Sequence, residues 1–80
     1  MIHMNKERRK RLEAVLTSLE EVSGELESIR DEEQEAYDNL PESLQDSERG
    51  ECMSQAIDSL DCAISSLEDV TDNVNEAIEQ

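Results

Sequence analysis

Residues 12–40, LEAVLTSLEEVSGELESIRDEEQEAYDNL, and residues 53–78, MSQAIDSLDCAISSLEDVTDNVNEAI, decide the fold of this chain. In the first stretch Leu12, Val15, Leu19, Val22, Leu26, Ile29, Glu33, Ala36 and Leu40 follow one another in alternating steps of three and four. In the second, Met53, Ile57, Leu60, Ile64, Leu67, Thr71, Val74 and Ile78 do the same. That spacing keeps one seam of an α-helix turned toward a partner helix. Between the two lies Pro41, which lacks a backbone donor and biases Leu40 away from helix. The fold class expected is therefore all-α, an antiparallel two-helix hairpin of coiled-coil type. The expected organisation is a helix over residues 5–38, a turn over 39–46 and a helix over 47–78. Asn5 is the expected first N-cap, and Asp46 or Ser47 the second. Residues 1–4 read as a cloning remnant or a disordered start, because His3 stands directly before a second methionine.

The second helix carries an extra apolar row at Ala56, Ala63, Val70 and Ala77. The first has only Leu16 and Tyr37 in its extra row. A three-row face belongs to a bundle helix, and two rows to a simple seam. Eighty residues without Phe or Trp also make a small core. Both features point to a homodimer closing into a four-helix bundle. Its expected interface is Ile57, Leu60, Ala63, Ile64, Leu67, Val70 and Val74. Near the turn the seam becomes polar at Glu33 and Gly50. There Arg30 and Arg49 are expected to pair with Glu33 or Glu35, and Gly50 to leave room for Tyr37 or Leu40. Leu40 and Leu44 are expected to tuck the turn onto the bundle end.

Charge is the second strong signal. The net charge is −15, with 22 acidic and 7 basic residues. Five of the basic residues, Lys6, Arg8, Arg9, Lys10 and Arg11, form a positive tip. The rest is a negative rod that repels nucleic acid and anionic lipid and attracts basic partners. The tip is expected to pair with Asp72, Glu76 and Glu79 at the far end of the second helix, in its own or a partner subunit. A basic host protein is the partner class this charge selects, and direct nucleic-acid binding through residues 6–11 is the sharper alternative. The candidate recognition surface is Asp31, Glu32, Glu35, Tyr37, Asp38 and Glu42. The plainer account of the same charge is solubility.

Catalytic patterns are missing from the sequence. The one histidine is His3, so no histidine base is credible. A di-metal bundle site needs carboxylates at inward positions of both helices, and the second helix has none there. The turn does not match a calcium loop. Cys52 and Cys62 lack zinc spacing, fall on different sides of one helix, and suit a reducing cytoplasm as free thiols. No apolar run approaches the ~20 residues that span a bilayer, and no secretory leader is apparent. The expectation is a cytoplasmic protein that is not an enzyme, with no cofactor and no metal, and with no membrane association.

One stretch carries a resemblance. Asp38-Asn39-Leu40-Pro41-Glu42-Ser43-Leu44-Gln45, within the longer run from Asp31 to Arg49 and followed by the Ala-Ile-x-x-Leu heptads at Ala56 and Ala63, resembles a group of small helical proteins of phages and prophages of gut Firmicutes. The resemblance covers roughly residues 26–70. It implies a source rather than a mechanism. From such a source, a short acidic protein is a candidate antagonist of host nucleic-acid enzymes, acting as a nucleic-acid mimic in a basic cleft. The rival expectation is a structural coiled-coil assembly or scaffold module, in which the seams themselves are the function.

Overall fold

The structure is a computed structural model that describes residues 4–80. Three helices follow in order: α1 over Lys6–Asp38, α2 over Glu42–Gln45 and α3 over Glu48–Glu79. No strand occurs among the described residues. The two long helices pack against each other as an antiparallel hairpin, a rod 64 × 16 × 12 Å in extent. Apart from Met4, the expected remnant at residues 1–4 lies outside the described residues.

The helix ends follow from local chemistry. The Asn5 side chain accepts from the backbone N–H of Glu7 at 2.8 Å and of Arg8 at 3.2 Å, satisfying two of the donors that a helix start leaves free. α3 is capped by Ser47, whose hydroxyl accepts from the Gly50 N–H at 3.3 Å. The same hydroxyl donates to the Leu44 carbonyl. The turn expected over 39–46 is more ordered than a plain loop, because Pro41 starts a further helical turn. Its carbonyl accepts from the N–H groups of Leu44 at 2.8 Å and Gln45 at 3.2 Å. Proline suits a helix start because the donor it lacks would be unpaired there. The Gln45 amide then reaches back to the carbonyls of Tyr37 and Leu40, both at 3.4 Å, and ties α2 to the end of α1.

Gly50 has a different role from the one expected. A Cβ there would overlap the carbonyl oxygen of Gln45 and stand 2.6 Å from the oxygen of Leu44. The glycine therefore admits the backbone of α2, and not the side chain of Tyr37 or Leu40. Leu40 is half-buried as the turn folds back, but Leu44 stays 45% exposed and does not tuck in.

The facing rows are as expected on α3 and rotated on α1. On α3, Gly50 and Ile57 are buried, and Met53, Leu60, Ile64, Leu67, Thr71, Val74 and Ile78 are half-buried. On α1 the half-buried positions include Leu12, Leu16, Leu19, Ser23, Leu26, Arg30, Glu33 and Tyr37, and the row continues to Leu40 just beyond the helix. The row through Leu16, Ser23, Arg30 and Tyr37 faces α3 in place of the row through Val15, Val22, Ile29 and Ala36. The displaced row is left outside, with Val15 44%, Val22 50% and Ile29 44% exposed. Ile57, at 6%, is the one buried apolar residue among those described. α1 thus turns its sparse row, with only Leu16 and Tyr37 apolar, toward α3 and leaves the richer row outside.

Candidate protein-binding faces

Two interhelical contacts set the register of the hairpin. Arg30 Nε donates to Asp61 Oδ1 at 2.7 Å, and its Nη2 reaches Asp61 Oδ2 at 3.4 Å, a two-pronged clasp between α1 and α3. Asp31 flanks the same guanidinium at 3.5 Å. The Arg30 guanidinium is held above its ordinary value, first by the hydrogen bond to Asp61. Partial burial opposes this, and the charge of Asp61 and the contacts with Asp31 add to it. At the other end Arg9 Nε donates to the Ile78 carbonyl at 3.0 Å, where a helix C-terminus favours a cation. These pairings centre the hairpin a few residues beyond position 42, because α2 lengthens the turn. They also differ from the expected partners: Arg30 meets Asp61 and Asp31 rather than Glu33 or Glu35. Among the described residues the basic tip makes no ion pair with Asp72, Glu76 or Glu79.

The rotation of α1 gives the rod two unlike long sides. On one side a groove between the helices is lined by Leu19, Glu20, Ser23, Gly24 and Glu27 of α1 and by Glu68, Thr71 and Asp72 of α3. Four carboxylates surround it. On the opposite side Val15, Val22 and Ile29 stand out along α1. There Ile29 shares a second groove with Glu32, Glu33, Ala56 and Leu60. Ala56, Ala63 and Val70 of α3 are exposed along that side.

The candidate recognition residues sit at the turn end. Asp31, Glu35 and Asp38 recur at steps of four and three and form one ridge on the outer side of α1, all exposed. Asp38 accepts from the Gln34 amide at 3.0 Å and Glu32 from the Ser28 hydroxyl at 3.5 Å. Glu42 is exposed on α2, whereas Tyr37 is half-buried in the hairpin seam. The four-carboxylate groove was not singled out by sequence. Its signal is the seven-residue recurrence of Glu13, Glu20 and Glu27, which becomes meaningful only once the facing row of α1 is known. Of the residues expected at a dimer interface, Ile57, Leu60, Ile64, Leu67 and Val74 pack toward α1 within the chain, while Ala63 and Val70 are exposed.

Among the described residues no group of three His, Cys, Asp or Glu side chains is arranged to hold a metal ion. Cys52 and Cys62 are free and exposed. No helix among the described residues is long and apolar enough to cross a membrane. Comparisons with known protein families, with curated proteins and with solved structures give no match.

Proposed function

We propose that this chain is a non-enzymatic protein-binding module, a homodimeric helical rod whose carboxylates stand in for a nucleic-acid backbone in the basic cleft of a nucleic-acid-binding protein. The observation that carries the reading is charge density on a stiff frame. Twenty-two carboxylates lie on a rod 64 Å long, roughly one per 3 Å, close to the ~3.4 Å per phosphate along one strand of a duplex. The groove between Glu20, Glu27, Glu68 and Asp72 and the ridge of Asp31, Glu35 and Asp38 concentrate that charge on surfaces free of apolar rows. Such an acidic surface repels nucleic acid, so the reading does not have the chain bind it directly. A cytoplasmic accessory protein of phage type, as the Asp38–Gln45 resemblance suggests, would act in this way on a host enzyme.

The test is competition. Host proteins captured on the rod should include a nucleic-acid-binding protein that duplex DNA displaces, and rising salt should release it steeply. Converting Glu35, Asp38 and Glu42, which lie off the apolar side, to Gln or Asn should weaken capture while leaving helicity intact. If DNA and the rod occupy that protein together, or the neutralised chain binds as tightly, the mimic reading fails. The exposed row of Val15, Val22 and Ile29 favours a second reading, a scaffold module assembled through its seams, whose associations would barely respond to salt.

A further inference from the structure

We infer that the outward row Val15, Val22 and Ile29, with Ala63 and Val70 beside it, seats a second copy of this chain packed side by side with its turn at the opposite end. The inference rests on the homodimer proposed above and assigns its face and orientation. Surface area gives the first support. The chain exposes 6122 Å². A compact protein of 9.1 kDa would expose about 4,900 Å². The excess of roughly 1,200 Å² per chain is more than the ~800 Å² that each partner buries in a standard two-chain interface.

The register gives the second support. A two-fold axis passing at Val22, perpendicular to the rod, sets Val15 of one copy against Ile29 of the other. From the contacts of Arg9 with Ile78 and Arg30 with Asp61, Val22 lies level with Leu67 of α3. To within one residue the same axis sets Ala63 against Val70 of the other copy, small against large, and Ala56 against Ala77. One axis satisfies the rows of both helices, although nothing in the hairpin requires their centres to coincide.

Charge gives the third. Arg8 and Arg11 border the apolar row at its open end, and Glu32 and Glu33 border it at the turn end. Turns at opposite ends place Arg11 of each copy beside Glu32 of the other. Turns at the same end would gather both basic tips together and both acidic ends together, which like-charge repulsion disfavours. The basic tip, without a carboxylate partner among the described residues of its own chain, finds one in the second copy.

The experiment uses the full chain with Cys52→Ser and Cys62→Ser. Sedimentation at ~100 μM should give a dimer, and a monomer there overturns both the homodimer and this face. Adding Val22→Cys and oxidising with oxidised glutathione should convert most of the chain to a covalent dimer. Val70→Cys alone should remain uncoupled, and Val70→Cys with Ala63→Cys should couple. A dimer in which Val22→Cys stays reduced overturns the face and orientation while leaving the homodimer standing. Arg11→Glu should weaken dimerisation about tenfold by turning two attractions into repulsions, and adding Glu32→Arg should restore it. Failure of that restoration overturns the antiparallel orientation.

Discussion

Replacing glycine by alanine should have opposite signs at the two glycines of this chain. Both lie inside long helices, Gly24 in α1 and Gly50 in α3. In a helix interior the exchange ordinarily gains about 1 kcal/mol, because glycine surrenders the most backbone freedom on folding. At Gly24 nothing lies within 4 Å of the added methyl. The full gain should appear, raising Tm by about 4–8 °C for a domain of this size.

At Gly50 the methyl would overlap the Gln45 carbonyl oxygen and approach the Leu44 oxygen to 2.6 Å. These are backbone atoms, so no side chain can swing away. α2 must move by roughly 1 Å, an overpacking cost of about 1–3 kcal/mol. That shift also strains the Gln45 amide bonds to Tyr37 and Leu40, each worth about 0.5–1.5 kcal/mol. After the intrinsic gain is deducted, Gly50→Ala should lose about 1–3 kcal/mol. The assay is thermal unfolding followed by helical circular dichroism, with all variants at one protein concentration because association shifts apparent stability. A Gly50→Ala variant as stable as wild type, or more so, would refute the seating of α2 on the first turn of α3.

Three further outcomes follow from the same geometry. Ser47→Ala removes the acceptor for the Gly50 N–H and should destabilise the chain by ~1 kcal/mol in denaturant titration. Ile64→Asp puts a charge into the seam between α1 and α3, at a cost of several kcal/mol, and should unfold the hairpin by circular dichroism rather than yield a folded monomer. Raising NaCl from about 10 mM to 500 mM shortens the screening length severalfold. It should raise Tm by relieving the self-repulsion of a chain with net charge −15, while weakening capture of a basic partner measured on the same preparation.

The hairpin was legible because its signals are local and periodic. Asn5 and Ser47 cap where their side chains can reach the next N–H groups, Pro41 stops α1, and on α3 the larger Ile57, Ile64 and Ile78 mark the inward row over its small neighbours Ala56, Ala63 and Ala77. α1 was ambiguous for a geometric reason. Its row at Leu12, Leu19, Leu26 and Glu33 is shared by two seams, one completed by Val15, Val22 and Ile29 and the other by Leu16, Ser23, Arg30 and Tyr37. Both step by three and four, and differ only in which step comes first. Apolar content favours the former, yet Arg30 belongs to the latter and closes on Asp61, thirty-one residues away in sequence. No local pattern reports a contact of that range. The four-carboxylate groove was hidden by the same ambiguity, since it exists only on the side to which α1 did not turn its valines. The role of Gly50 was illegible because it depends on α2, a four-residue helix in a stretch whose Asp, Asn and Ser content reads as turn.

The rotation of α1 also gives the two seams different work. The inner seam is specific and thinly packed: it buries one apolar residue, Ile57, and its register is fixed by polar clasps at Arg9 and Arg30. The outer row holds valine and isoleucine where the inner holds serine, arginine and tyrosine, so the greater unspent burial lies outside the hairpin. Fully covering a Val or Ile side chain is worth about 1.5–3 kcal/mol. Val15, Val22 and Ile29, each about half exposed, could together add several kcal/mol per chain against a second copy. That is comparable to the whole stability expected of so small a domain. On the proposed dimer, folding and association are then one event, and the apparent stability should fall on dilution. The acidic groove and ridge lie away from the buried rows, so pairing leaves them on the outside and doubles the charged surface a basic cleft would meet. In the proposed assembly the apolar side is the one that pairs and the acidic side the one offered to a basic cleft, and the turn of α1 about its axis separates the two.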